Sequence, residues 1–180
     1  MKLQSLLSER RNPILKKWFD IILETYPAET SGFLKSQKDR FANPVGYTLS
    51  NGLEDIFDEL ARGAGIEKIS PLLDDIIRVR AVQDVPPSKA VSFIFLLKKI
   101  VREEAKSTAH GCDLEELHDL EARVDEMALA AFDKYMQSRE KIYELKANEL
   151  RRMTSKLVER ANLIFEAKNK GTNNGENILF

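Results

Sequence analysis

Two histidines and one cysteine are the residues of this chain whose chemistry could bind a metal ion. His110, Cys112 and His118 are close in sequence, and zinc accepts imidazole and thiolate ligands. Their spacing matches no established zinc pattern, and a fourth ligand is not identified. We therefore predict no metal ion and no cofactor, and a polar loop between helices accounts for His110 and Cys112.

His118 could alternatively accept a phosphoryl group. The tetrad Leu117-His118-Asp119-Leu120 loosely resembles the phosphoacceptor sequence of histidine kinases. Phosphotransfer histidines are usually followed by a lysine and a glycine, whereas Glu121 and Ala122 follow here. A phosphotransfer protein using His118 is therefore an alternative hypothesis, and the simpler interpretation is a histidine that faces solvent.

Paired carboxylates, the usual groups of acid–base catalysis, occur at Glu54-Asp55, Asp74-Asp75 and Glu103-Glu104. We interpret them as solvated helix surface, because charges of both signs are mixed along the whole chain. No nucleophile has a credible base and orienting partner. The Gly63-Ala64-Gly65 segment lacks the preceding strand and the lysine of a phosphate-binding loop. We therefore predict that the protein is not an enzyme.

The composition indicates a protein with a hydrophobic core. The chain has 180 residues, of which 43% are hydrophobic, and a formal net charge of −1. A nucleic-acid-binding protein needs a basic face, so this balance argues against that class. The longest apolar stretch, residues 91–97, is far shorter than the roughly 20 residues that span a bilayer. We expect a cytoplasmic protein without membrane insertion.

The elements that position these residues are predicted to be helices throughout. Apolar residues recur at helical spacing, and runs of alternating β-branched residues are absent. The fold class is therefore predicted to be all-α, a helical bundle. Capping residues predict helix starts at Asn12-Pro13, Ser70-Pro71, Ser88 and Asp113. The Gly63-Ala64-Gly65 segment predicts the end of a helix.

The last helix is predicted to be unusually long, because neither proline nor glycine occurs from Asp113 to Lys168. Up to Tyr135 its apolar residues follow a 3.6-residue period, which predicts a face packed into the bundle. Further on they alternate in steps of four and three, the spacing of a coiled coil. This seam consists of Tyr143, Ala147, Leu150, Thr154, Leu157, Ala161 and Ile164. We favour pairing of the seam with a second copy or a partner protein over packing against its own bundle.

The segment Phe41-Ala42-Asn43-Pro44-Val45-Gly46-Tyr47 supports two interpretations. In the structural one, the side chain of Asn43 caps the next helix, while Phe41 and Tyr47 hold the loop in the core. In the functional one, a small-molecule ligand pocket is lined by Trp18, Phe41, Asn43 and Tyr47.

This segment is part of a longer pattern. The pattern comprises Trp18, Tyr26-Pro27, Phe33-Leu34, Phe41-Ala42-Asn43-Pro44-Val45-Gly46 and the amphipathic stretch from Leu49 to Leu60. It resembles the N-terminal domain of RsbRD-type proteins, the RsbT co-antagonists of bacterial stress signalling. The resemblance implies an all-helical sensory or regulatory domain that is globin-like, lacks haem and dimerises. In related proteins a linker helix leads from it to a phosphorylated STAS domain.

These observations together predict a signal-transduction domain in three parts. Residues 1–142 form the helical domain, residues 143–168 form a coiled-coil stalk, and residues 169–180 form a disordered tail. The phosphoacceptors of a STAS domain have no counterpart here, so we expect a stand-alone sensor that binds a ligand or a protein and reports to a separate chain. A structural adaptor without a ligand is a further alternative.

Overall fold

The computed structural model describes residues 2–36, 40–107 and 112–173, and the side chains of these except residue 36 and residues 168–173. Within these ranges the chain forms seven α-helices and no strand, which confirms the all-α prediction. The helices are α1 (Leu3–Glu9), α2 (Arg11–Leu23), α3 (Ala28–Ser36), α4 (Pro44–Ala61), α5 (Ile66–Val82), α6 (Pro87–Ser107) and α7 (Leu114–Asn173). None of the described helices is long and apolar enough to cross a membrane.

One hydrophobic core is shared by α1 to α6 and the first part of α7. Helix α2 packs against α4 and α6, and α5 packs against the same two helices. Trp18 of α2 is fully buried, and its indole Nε1 donates a 2.8 Å hydrogen bond to the carbonyl oxygen of Phe93 on α6. A buried indole needs such a partner, so this bond fixes α2 against α6.

Two helix ends that are stabilised by local hydrogen bonds are predicted correctly, the start of α7 and the end of α4. The backbone N–H of Glu115 donates to the Asp113 carboxylate at 2.9 Å, so Asp113 caps α7. At the end of α4, Gly63 has a φ of 78° and donates to the carbonyl of Leu60, while Ala64 donates to that of Glu59. This pair of bonds is a Schellman motif, which explains the glycine.

Three predicted helix starts are wrong. Helix α2 begins at Arg11, α5 at Ile66 and α6 at Pro87, so Asn12-Pro13, Ser70-Pro71 and Ser88 lie inside helices. Proline costs nothing in the first turn, because the N–H groups there have no partner within the helix.

Pro71 lies further inside its helix and removes one backbone hydrogen bond of α5. The preceding turn contains Ile69, which is buried in the core. Burial of such a side chain contributes roughly 2 kcal/mol, which offsets much of the cost of the proline. Helix α5 therefore starts one turn before the proline.

Inter-residue contacts divide the chain after Arg139 into residues 1–139 and residues 140–180. The first unit contains α1 to α6 and the first part of α7, and the second contains the rest of α7. The predicted domain boundary lies three residues later, before Tyr143. Helix α7 continues to Asn173, beyond the predicted end at Lys168, and residues 174–180 of the predicted tail lie outside the described residues.

Candidate functional site

Asn43 caps α4 with a side chain that is buried. Its Oδ1 accepts the backbone N–H of Gly46 at 2.8 Å, and its Nδ2 donates to the carbonyl of Leu34 on α3 at 3.0 Å. A Cβ atom added to Gly46 would lie 2.2 Å from that Nδ2. The Asn-Pro-Val-Gly sequence is therefore explained structurally, because the asparagine fills the space that only glycine leaves open.

The other aromatic candidates lie in different environments. Trp18 is fully buried, whereas Phe41 is 93% exposed, so the expectation that Phe41 holds its loop in the core is wrong. The ligand pocket of Trp18, Phe41, Asn43 and Tyr47 stays a prediction.

Tyr47 lies on the wall of two neighbouring surface clefts, which we call the Tyr47 clefts. One cleft lies between α4 and α5 and is also lined by Asn51, Asp55 and Asp75. The guanidinium of Arg40 lies over the Tyr47 ring, 5.8 Å from its centroid. The second cleft lies on the other side of α4 and is lined by Tyr47, Asn51, Phe19, Leu34, Lys35 and Glu54. Both clefts offer apolar and polar groups to a small molecule, with a larger share of polar groups than a typical ligand pocket has.

Arg80 of α5 is a functional candidate that sequence reasoning missed. It is fully buried at a position where the stripe Ile69, Leu73, Ile76 and Ile77 predicts an apolar residue. Its guanidinium donates to three oxygen atoms: the Ala90 carbonyl at 3.1 Å, the Lys89 carbonyl at 2.8 Å and the Thr25 hydroxyl at 3.1 Å. The signal in the sequence was a charged residue in phase with an apolar stripe.

A second buried charge, Glu104 on α6, differs from Arg80 because it is neutralised. Its carboxylate receives a 2.7 Å hydrogen bond from Lys17 and lies 3.8 Å from the Nε of Arg10. Buried ions are normally paired in this way. Glu104 thus forms a structural ion pair, and the interpretation of Glu103-Glu104 as solvated helix surface is wrong for Glu104.

The candidate metal-binding and phosphotransfer residues are only partly within the described residues. His118 is exposed on the second turn of α7, and His110 lies outside the described residues. Cys112 is partly buried, and burial together with the charge of Glu116 raises the pKa of its thiol, so the reactive thiolate is disfavoured. Among the residues the structure describes, no group of three His, Cys, Asp or Glu side chains could hold a metal ion. Phosphotransfer through His118 stays a prediction.

The seam of α7 lies at the surface of the second unit. We call its seven residues the α7 seam, and all of them are exposed in the single chain: Tyr143, Ala147, Leu150, Thr154, Leu157, Ala161 and Ile164. Leu150 and Leu157 are 67% and 64% exposed. Large side chains follow one edge and small ones follow the other.

Further exposed apolar residues widen this surface. A helix turns about 100° per residue, so Val158 and Phe165 lie beside one edge of the α7 seam and Met153 lies beside the other. All three are exposed. The apolar surface is thus broader than the predicted heptad, which the sequence pattern missed because these residues fall outside its strict four-and-three steps.

Comparison with known protein families identifies the family to which the chain belongs. The sequence model described as the RsbT co-antagonist protein rsbRD N-terminal domain matches residues 12–150. The chain belongs to this family. The RsbRD N-terminal domain family is one of signal transduction in stress regulation, so the chain is a regulatory domain of that class. Comparisons with curated proteins and with solved structures gave no match.

The region matched to the RsbRD N-terminal domain family contains the features described above. The Asn43 cap, the Tyr47 clefts and Arg80 lie within it, as do the first three residues of the α7 seam, up to Leu150. The later part of the seam, from Thr154 to Ile164, lies beyond it.

Proposed function

We propose that this RsbRD-type domain is a sensory or regulatory protein that signals by reversible pairing of α7. The observation that carries the proposal is the exposed α7 seam. Exposed leucines repeated every seven residues are costly in an isolated helix, because burial of one such side chain contributes roughly 2 kcal/mol. A partner helix would recover that free energy.

The proposed occupant of the α7 seam is a second copy of the same chain. The edge of Leu150, Leu157 and Ile164 is large, and the edge of Ala147, Thr154 and Ala161 is small. The large edge of one helix therefore fits the small edge of an identical helix, which is the self-complementarity that a two-fold interface requires. Small side chains also let two helices approach to about 8 Å.

The proposed pairing is suited to a signal because it is of moderate strength. Knobs-into-holes packing needs large apolar residues at both heptad positions for a permanent coiled coil, and here one position holds only alanine and threonine. Changes in the domain could then shift the population of paired helices, and a separate output protein would read that population.

The proposed binding site for the sensed ligand is the Tyr47 clefts, where a small molecule would contact Tyr47 and Asn51. Native mass spectrometry of the purified chain, followed by denaturation and identification of small molecules, tests this part. We expect a ligand that is retained by the wild type and lost in Tyr47→Ala. If Tyr47→Ala retains the ligand, the Tyr47 clefts are not its binding site.

The pairing is tested by replacing Leu150 and Leu157 together with glutamate. Leu145 and Leu163 provide a matched control, because both are exposed leucines of α7 that lie about 200° around the helix from Tyr143 and so face away from the seam. Light scattering coupled to size exclusion should show a dimer for the wild type and for the control double variant.

The same measurement should show a monomer for the seam double variant, with circular dichroism confirming that its helices remain. A wild-type monomer across the accessible concentration range would refute the pairing. A seam variant that stays dimeric would place the interface elsewhere.

A further inference from the structure

Among the side chains that the structure describes, no carboxylate pairs with the buried charge of Arg80. Its side chain is fully buried, and no ion pair to it occurs within residues 2–36, 40–107 and 112–173. Its three hydrogen bonds go to neutral oxygen atoms, and its Nη1 has no hydrogen-bond partner among the described residues. Leaving a buried guanidinium donor unpaired is costly, so the group calls for an additional partner.

The surroundings of Arg80 favour an anion as that partner. The guanidinium contacts the carbonyls of Lys89 and Ala90, which belong to the first turn of α6. These carbonyl oxygens are neutral, so they leave the positive charge of the arginine uncompensated. Burial lowers the pKa of Arg80, and the groups that act in the opposite direction are the hydroxyls of Tyr26 and Tyr135, not a carboxylate.

Two aromatic rings lie over the guanidinium of Arg80, and only one of them is fully buried. The ring of Tyr26 covers the guanidinium at 5.8 Å, and Phe93 lies on another part of it at 5.6 Å. Tyr26 is only partly buried, and its hydroxyl donates to the exposed side chain of Gln83 at 2.8 Å. Tyr26 therefore marks the side from which an anion would approach, because Phe93 is fully buried in the core.

We propose that Arg80 binds a compact monovalent anion at its Nη1, beneath Tyr26 and beside the first turn of α6. The chemistry fits a halide or the carboxylate of a small acid, which are alike in charge and in accepting guanidinium hydrogen bonds. The site would be a second binding site of the domain, separate from the Tyr47 clefts, and its existence does not depend on pairing of α7.

The test uses the whole 180-residue chain in solutions of equal ionic strength. Sodium gluconate, whose anion is much larger than a halide or acetate, is replaced stepwise by sodium chloride, sodium bromide or sodium acetate. Thermal unfolding is followed by circular dichroism. We expect Tm to rise with the logarithm of the anion concentration, by about 3 to 6 °C at a concentration tenfold above Kd. A rise with a halide but not with acetate would assign the site to inorganic anions, and the reverse would assign it to carboxylates.

Arg80→Met should abolish the dependence of Tm on the anion, and Arg78→Met is the matched control, since Arg78 is an exposed arginine of the same helix. If Arg80→Met does not fold, a bromide-soaked crystal of the wild type decides the matter through an anomalous peak within hydrogen-bonding distance of Nη1. The inference is overturned if all four salts give the same Tm at equal ionic strength. It is also overturned if a bromide crystal shows no peak beside Arg80.

Discussion

The contact between Asn43 and Gly46 makes a quantitative prediction about α4. Asn43→Ala removes the cap of the helix and the hydrogen bond to the carbonyl of Leu34. A cap contributes about 0.5 to 2 kcal/mol and a buried hydrogen bond about 0.5 to 1.5 kcal/mol. We expect a loss of about 2 kcal/mol, which lowers Tm by roughly 4 to 8 °C for a chain of this length.

Gly46→Ala should destabilise the protein for the same reason. The new Cβ would lie 2.2 Å from the Nδ2 of Asn43, so the asparagine must leave its position and the cap is lost. Alanine has a higher helix propensity than glycine by up to about 1 kcal/mol, which offsets part of this cost. The expected net loss is therefore about 1 kcal/mol.

The double variant separates this mechanism from a general sensitivity of the loop. Once Asn43 is alanine, Gly46→Ala has nothing to displace and should stabilise the protein by up to about 1 kcal/mol. The coupling free energy from urea unfolding of the four proteins should thus be about 2 kcal/mol. Gly32→Ala serves as the control, because a Cβ there meets nothing within 4 Å, and it should be stabilising in both backgrounds. Additive losses at positions 43 and 46 would refute the reasoning.

Three further outcomes follow from other contacts. Asp113→Ala removes the cap of α7 and should cost about 1 kcal/mol, measured by urea unfolding. The hydrogen bond from Arg11 holds the pKa of Asp58 below its usual value. This pair therefore stabilises the fold above the unfolded-state pKa of the carboxyl, and the stabilisation is lost as the pH falls through the folded-state pKa. In acid unfolding experiments, the difference in stability between wild type and Arg11→Met should therefore shrink toward zero. Trp18→Phe removes the hydrogen bond to the Phe93 carbonyl and leaves a small cavity, for which we expect a loss of about 2 to 3 kcal/mol by circular dichroism melting.

The sequence predicted those features of the fold that depend on neighbouring residues. The caps at Asn43 and Asp113 and the glycine turn at Gly63 were found because one side chain or one φ angle satisfies backbone groups a few residues away. The all-α class was found because apolar spacing is repeated in every segment.

The features that depend on distant residues were missed. Helix α1 has only seven residues, too few to be stable alone, and it is held by burial of its leucines and by a hydrogen bond from the Leu3 N–H to Glu116 at 2.5 Å. Helix α5 extends past a proline because Ile69 is buried by other helices. Neither cause is visible within one segment of sequence.

The candidate sites divide in the same way, into local sequence patterns and features that depend on distant residues. The α7 seam was visible in the sequence because a heptad is a local pattern, and its role as an interface stays a prediction. Arg80 was missed because an arginine in a helix is usually a surface residue, and only the packing of α2, α5 and α6 shows that it is buried.

The two proposed activities together distinguish a sensor from a passive adaptor. If occupation of the Arg80 site shifts the pairing of α7, linkage requires that pairing changes anion affinity by the same factor. For a sensor we expect the dimer dissociation constant, measured by analytical ultracentrifugation, to change about 5- to 150-fold between gluconate and the preferred anion. The Arg80→Met variant should show the same constant in both salts. An unchanged constant in the wild type would leave both binding events intact but uncoupled, and the chain would then be an adaptor whose pairing does not report the anion.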